Sequence, residues 1–403
     1  MSVTTFRREA RLFLEQAAPR FAHAPRARGG LFSAEVDGAA EVEDARGWQQ
    51  HLAENRWAAP GWPTEFGGRG ASPEEAAAWA EELSRFPFPS TAVFTIGLGM
   101  AGPTIISRGD RHQQARYLDR ILRADDIWCQ LFSEPDAGSD LAAVRTKAVR
   151  AGDHYLVTGQ KIWTSGAHYS DLAIMLARTD PSVPKHRGLG FFIVDMHSPG
   201  IEVRPLKQMS GATNFNMVFL DQVEVPLENR VSGETDGWKV AMGTLAHERA
   251  VVSSPASATL SGGGDLDGLL PHVRMAPPEL KERFVRSWVA HRVVQWTAAD
   301  NLNRRAAGED ISTRAAISKL LQSAAATDLA DLALDLLGAE ALTEGVTEDG
   351  DSWRAAFLGA PAMHIAGGTD EVLLTQIGER MLGLPPDTRV DKDVPFASLG
   401  GLR

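Results

Sequence analysis

Apolar and polar positions along this chain change their spacing twice. From Phe6 to about residue 125 apolar residues recur at three- and four-residue intervals, which lays one apolar face along a helix. Phe6, Leu12, Phe13 and Leu14 lie among Arg7, Arg8, Glu9, Arg11 and Glu15, an amphipathic first helix. Residues 74–83 form an Ala/Glu-rich stretch announced by Ser72-Pro73, a good N-cap and first-turn pair. Residues 111–122 repeat the helical spacing, and Pro60-Gly61-Trp62-Pro63 and Gly67-Gly68 supply turn chemistry between. From Trp128 to about Val231 the runs shorten and grow rich in Val, Ile and Phe: 155–158, 172–176, 190–194, 201–203 and 217–220, parted by Gly, Pro, Asp and Ser. These read as strands of a compact β-barrel or sandwich. From Gly237 onward long helical patterns return, at 238–260, 278–307 and 312–337, with Gly262-Gly263-Gly264 linking the first two. They predict an antiparallel bundle. A last helix starts near Thr369, whose hydroxyl suits an N-cap. The expectation is an α+β chain: an N-terminal helical domain (1–126), a middle β-barrel (127–234) and a C-terminal four-helix bundle (235–403).

Composition narrows the function. The 403 residues are enough for two to three domain-sized units with substantial cores. A net charge of −11 argues against nucleic acid or an anionic membrane as the main partner. It also obliges any polyanionic ligand to find a local basic patch. The lone Cys129 excludes an internal disulfide and a thiol-only metal cluster, and suits a reducing cytosol. No apolar run is long enough to span a bilayer, and the first twenty residues lack a signal-peptide core. A cytoplasmic protein without a metal site is expected.

Four segments carry candidate chemistry. Trp128-Cys129-Gln130-Leu131-Phe132 runs as a strand into Ser133-Glu134-Pro135-Asp136-Ala137-Gly138-Ser139-Asp140, delivering hydroxyls and backbone amides to one end of the barrel. Alone, this is also what an ordinary strand and turn with an exposed Ser looks like. Gln160-Lys161-Ile162-Trp163-Thr164-Ser165-Gly166 offers an indole that can cover a flat aromatic ligand, or simply fill the barrel core. On the helix through Leu245-Ala246-His247-Glu248-Arg249, the residues Ala241, Leu245, Glu248 and Val252 share one stripe, apolar except for Glu248. An acid on such a stripe is either bonded to a buried base or functional. Finally, Ile365-Ala366-Gly367-Gly368-Thr369-Asp370-Glu371 combines a Gly-Gly turn with a helix cap and ends in a run closing with Gly378-Glu379-Arg380-Met381-Leu382-Gly383-Leu384-Pro385. A glycine there can bring a backbone N–H close to a ligand oxygen.

Taken together, these motifs resemble the acyl-CoA dehydrogenase family over nearly the whole chain, from about Trp57 to Pro385. The resemblance implies that family's fold and FAD as cofactor, with Phe132, Ser133, Trp163, Ser165, Thr369 and Glu371 at the flavin. It puts Ser139 and Arg249 at the substrate. Many members keep their catalytic carboxylate immediately before the Gly-Thr pair, where this chain has Gly367. Another subset, the isovaleryl and long-chain types among them, places the base on the first bundle helix before an Arg, and Glu248-Arg249 match that pair. The implied reaction is α,β-dehydrogenation of an acyl-CoA to the trans-2-enoyl-CoA. Glu248 takes the α-proton, the Gly367 N–H polarises the thioester, and hydride goes to flavin N5. Electrons then leave to an electron-transferring flavoprotein or similar acceptor. Small residues around the base, Gly243, Ala250, Ser253, Ser254 and Ala256, hint at room for a bulky or branched acyl group.

Two departures stand against a plain transfer. Where many members have Arg-x-x-Phe-Gly touching the partner's FAD, this chain has Lys281-Glu282-Arg283-Phe284-Val285-Arg286 with no Gly. Leu358-Gly359-Ala360 replaces a common basic-acidic pair. The pattern is similar to actinobacterial relatives, some acting on steroid side chains and some built from two different chains. A homo-oligomer, dimer or tetramer, is one expectation and a paired homologous subunit the other. The alternatives are a partner-dependent or catalytically silent subunit, or a flavin oxidase or monooxygenase on the same fold.

Overall fold

The computed structural model describes residues 2–22, 39–252, 266–388 and 391–401. The Gly262-Gly263-Gly264 linker, Ser253, Ser254 and Ala256 fall outside them, as do the side chains of Arg249, Ala250 and Val252.

The first layer is helical, with α1 (Val3–Phe21), α2 (Ala39–Glu54), α3 (Pro73–Leu83), α4 (Gly102–Arg108) and α5 (Arg111–Leu122). Ser72 caps α3 in a full capping box with Glu75, and Asp110 caps α5 in the same way with Gln113. Each box satisfies amides that a helix start leaves without partners. Helix α2 buries Ala45, Trp48 and Leu52 at helical spacing, the face that packs it into the first layer.

Among the described residues seven strands follow: β1 (Trp128–Leu131), β2 (Lys147–Ala151), β3 (His154–Ser165), β4 (Leu172–Arg178), β5 (Leu189–Asp195), β6 (Ile201–Leu206) and β7 (Phe215–Pro226). They pair in the order β1-β4-β2-β3-β7-β6, with β5 on β4. Strands β3 and β7 are longer than the apolar runs predicted, because bulges at Val157/Gly159 and Lys161/Thr164 let them bend without losing their partner. The bending curls the sheet until the Ile162 N–H donates to the Ser133 carbonyl at 3.0 Å. One core lies within the curl, around Tyr155, Met175, Phe192 and Val218. A second, around Trp62, Ile105, Trp128, Phe191 and Ala241, joins the sheet to the first helices and to the first bundle helix. Fully burying one such Phe contributes about 1.5–3 kcal/mol, so these layers are held firmly.

The bundle contains α6 (Gly237–Val252), α7 (Leu270–Met275), α8 (Pro278–Ala306), α9 (Ser312–Leu337), α10 (Ala339–Leu342), α11 (Glu348–Met363) and α12 (Asp370–Arg380). Helix α9 is its centre and packs on α6, α8, α11 and α12. Thr369 caps α12, its hydroxyl accepting from the Val372 N–H at 3.3 Å. Beyond α12 the segment Asp391–Gly401 returns to the sheet, where the Phe396 N–H donates to the Val183 carbonyl at 2.9 Å.

Candidate active site

The curl of the sheet brings two of the four sequence motifs together. Because Ser133 is bonded to Ile162, the Ser133 turn and the Trp163-Ser165 strand end side by side. Phe132 is buried against Phe191, while Ser133 is half-buried and Ser165 exposed. Trp163 sits at the bulge with φ +59° and is 58% exposed, its ring edge-on to Phe215 at 5.8 Å. A bulky residue in the left-handed region costs roughly 1–2 kcal/mol. An apolar ring presented outward at that cost is no core residue. The barrel-core alternative for Trp163 is thereby corrected. Gly166 follows at φ +63°, where a Cβ would come within 2.4 Å of the Tyr169 hydroxyl.

A buried ion pair fixes this end of the sheet. Lys161 is wholly buried, and its Nζ donates to the Phe132 carbonyl (3.0 Å), Glu134 Oε1 (2.8 Å) and the Leu176 carbonyl (2.7 Å). Glu134 also accepts from the backbone N–H groups of Arg145 (2.6 Å) and Thr146 (2.9 Å). Burial pushes the Glu134 carboxyl up, but the Lys161 ammonium and these N–H groups outweigh it and hold it below the usual range. All three Lys161 donors are used, so the geometry is saturated. Between Glu134 and Asp140, Pro135, Asp136, Gly138 and Ser139 are exposed.

On the bundle side, α6 packs against β5 and against α9. Ala241 is fully buried, whereas Leu245 and Glu248 are half-buried, so the predicted stripe opens progressively along the helix. The fourth member, Val252, and the partner residue Arg249 belong to α6 by backbone, with side chains outside the described residues. Gly367 and Gly368 turn between α11 and α12 with φ +68° and +102°, both in the region that favours glycine. A Cβ on Gly367 would meet nothing within 4 Å. Beneath the turn, Lys319 of α9 donates to the Gly368 carbonyl (3.0 Å) and to Asp370 (3.2 Å). His364 Nδ1 lies 2.6 Å from Asp370 and its Nε2 lies 2.9 Å from the Thr327 hydroxyl. Burial raises the Asp370 carboxyl, while His364 and Lys319 more than offset this and keep it below the usual range. Glu371 is exposed beside this cluster. The structure thus gathers Phe132, Ser133, Trp163 and Ser165 in one place and Gly367, Thr369 and Glu371 in another. Glu248 stands on α6, which packs on β5 of the sheet and on α9, the helix that carries Lys319.

The sequence matches the acyl-CoA dehydrogenase N-terminal domain over residues 4–125, the middle domain over 129–223 and the C-terminal domain over 270–382. This chain belongs to the acyl-CoA dehydrogenase family. Acyl-CoA dehydrogenase IpdE1 of Mycobacterium tuberculosis is 37% identical over 353 residues, covering 86% of this chain and 90% of that one. Acyl-CoA dehydrogenase FadE34 of the same organism is 38% identical over 365 residues, 89% of this chain and 48% of its own. Among solved structures, the Tcur3481-Tcur3483 steroid acyl-CoA dehydrogenase superposes with a TM-score of 0.80 at 25% identity, covering 96% and 98% of the two chains. The ChsE4-ChsE5 complex from Mycobacterium tuberculosis gives 0.75 at 26%, with the same coverage. This acyl-CoA dehydrogenase is therefore an oxidoreductase of a flavoprotein family, and heteromeric assemblies occur among its structural neighbours. Among the described residues no helix is long and apolar enough to cross a membrane.

The residues on the sheet of this acyl-CoA dehydrogenase fit a flavin. A strained, outward indole offers a flat apolar cover, and the Ser133 and Ser165 hydroxyls beside it offer hydrogen bonds to a ring edge. The departing segment after α7 is helical: Phe284 is buried in the bundle, and Arg283 pairs with Asp331 at 2.7 Å and with Asp335. Sequence reasoning missed Lys161, Glu134, Lys319, His364 and Asp370 as supports. Two of them carried a signal: Lys161 keeps the alternation of the buried Tyr155 and Val157, and Lys319 lies on a stripe with Ala315, Ala316, Ser323 and Ala326.

Proposed function

We propose that the protein is an FAD-dependent acyl-CoA dehydrogenase that converts an acyl-CoA thioester to its trans-2-enoyl-CoA, with Glu248 as the α-proton base. The observation that carries this reading is the placement of Glu248. It is a half-buried carboxylate on the helix packed between β5 and α9, and α9 in turn holds the Gly367-Gly368 turn through Lys319. No carboxylate precedes the Gly-Thr pair here, so the base comes from α6. FAD, when bound, supplies the acceptor for the substrate's β-hydride.

Phe132, Ser133, Trp163 and Ser165 would hold the flavin ring on the sheet side, with Thr369 and Glu371 contributing from the bundle side. Trp163 would exclude water from a bound flavin, and the two hydroxyls would offer it hydrogen bonds. The Gly367 N–H would donate to the thioester carbonyl oxygen, stabilising the charge that develops when Glu248 withdraws the α-proton. Ser139 and Arg249 would hold the thioester and the nearby acyl or CoA groups. Held together, these groups gain mainly through positioning and electrostatics. We infer a bulky or branched acyl group. The steroid enzyme among the structural neighbours supports this, and so does the open space where a Cβ on Gly243 would stand. The acceptor would be an electron-transferring flavoprotein or its equivalent, and the setting the cytoplasm.

A second reading, that the active species pairs this chain with another copy or a homologous subunit, is favoured by α8. Val285, Trp288, Val289, Val293 and Trp296 recur at helical spacing there and are 36–68% exposed. Both readings are tested by anaerobic titration of the purified chain with acyl-CoAs from butyryl-CoA to a steroid side-chain thioester, following the flavin band. Bleaching supports a self-sufficient dehydrogenase and ranks its substrates. A yellow protein bleached by none of them sinks the dehydrogenase reading. A colourless chain that turns yellow and active only with a second subunit supports the paired assembly.

A further inference from the structure

The turn from Ser133 to Asp140 is held at its near end by Lys161, through Glu134. Its far end is held by Lys185 and Arg178, each completed by a residue of the Asp391–Gly401 segment. Lys185 Nζ donates to Asp140 at 2.8 Å and to Asp391 at 2.6 Å, and only 10% of the Lys185 side chain is exposed. Burial alone would lower the Lys185 ammonium, but its bonds to the two carboxylates outweigh this and leave it raised. Arg178, buried beside it, donates to the carbonyls of Ala142 (2.6 Å), Val144 (3.2 Å) and Lys185 (2.6 Å). The Phe396 ring covers that guanidinium at 3.8 Å and packs on the core shared by sheet and helices. Backbone bonds from Phe396 to Val183 (2.9 Å) and from Ala397 to Pro181 (2.8 Å) lock the returning segment in place.

Two cations therefore grip the Asp140–Val144 stretch, and each is completed by a side chain of the returning segment. Asp391 gives Lys185 a second carboxylate; Phe396 shields Arg178 from water, which strengthens its bonds to carbonyls. We propose that Asp391 and Phe396 are positioning residues for the substrate, fixing the Ser139–Asp140 end of the turn through Lys185 and Arg178. This rests on the reading that Ser139 meets the acyl-CoA.

The test compares Asp391→Asn, which keeps shape and removes charge, with Phe396→Ala and the conservative Phe396→Tyr, all in the full chain. Hydrogen exchange is followed at the Ala143 and Val144 amides, which donate to the Asp140 and Leu141 carbonyls at 2.9 and 3.3 Å. Both disruptive variants should exchange there about tenfold faster, with β1 amides unchanged. KM for the best acyl-CoA should rise about three- to tenfold, with kcat and bound flavin held and with Phe396→Tyr restoring both readouts. Unchanged exchange overturns the proposal, and so does faster exchange with the parental KM. Failure of every acyl-CoA to bleach the parent would instead remove the dehydrogenase reading. The exchange comparison decides the grip without turnover.

Discussion

On the sheet side of the site, Lys161 is fully buried and spends its three donors on Phe132, Glu134 and Leu176. On the bundle side, Lys319 and Asp370 keep 8% and 29% of their side chains exposed, and their network runs on through His364 to Thr327. Both clusters hold a turn that carries candidate site residues. The first is dry and saturated, so it has one arrangement. The second stays in reach of water, which can replace a lost partner. The sheet half is thus a fixed frame and the bundle half a mount with some tolerance; on the proposed function, the first would hold the flat ring and the second the reacting substrate.

The largest expected effect tests the bundle half directly. Glu248→Gln should slow flavin reduction by about 10²–10⁴-fold with flavin retained, measured by anaerobic stopped flow. An unchanged rate would take the base away from α6. Next, Lys161→Met leaves Glu134 charged and buried, and should cost about 3–5 kcal/mol in urea unfolding. Adding Glu134→Gln to it should recover most of that. Lys319→Met should cost less, about 1–2 kcal/mol, because water can reach the group left behind. Its kcat/KM should nevertheless drop about 10- to 100-fold as the Gly367-Gly368 turn shifts. Equal destabilisation by the two Lys variants would erase the contrast.

The acid limb of stability sharpens it further. Glu134 and Asp370 both lie below the usual carboxylate range when folded. Their contribution is therefore complete above the unfolded values of about 4 and is lost as pH falls through the folded ones. Denaturant midpoints measured from pH 6 downward should fall less steeply in Glu134→Gln and in Asp370→Asn than in the parent. The smallest effect is Thr369→Ala, which removes the α12 cap and should cost about 1 kcal/mol in the same assay.

Much of this molecule was determined by its sequence alone. Period and capping residues announced α3, α5, α9 and α12, because helix starts and apolar spacing are local properties. The change of period marked the sheet, and the Ser133, Trp163 and Gly367 strings marked the family, since each is contiguous in the chain. Strand β2 escaped, because Lys147–Ala151 is too short and too mixed to set a period. What only the tertiary structure decided was which distant groups would meet. That Trp163 faces outward depends on a bulge, and a bulge depends on the pairing of β3 with β7 rather than on β3 itself. The partners of Lys161, Lys319 and Lys185 lie 27, 51 and 45 positions away for Glu134, Asp370 and Asp140. A charged side chain marks a need for a partner; chain folding alone chooses which carboxylate supplies it, because burial makes that choice binding.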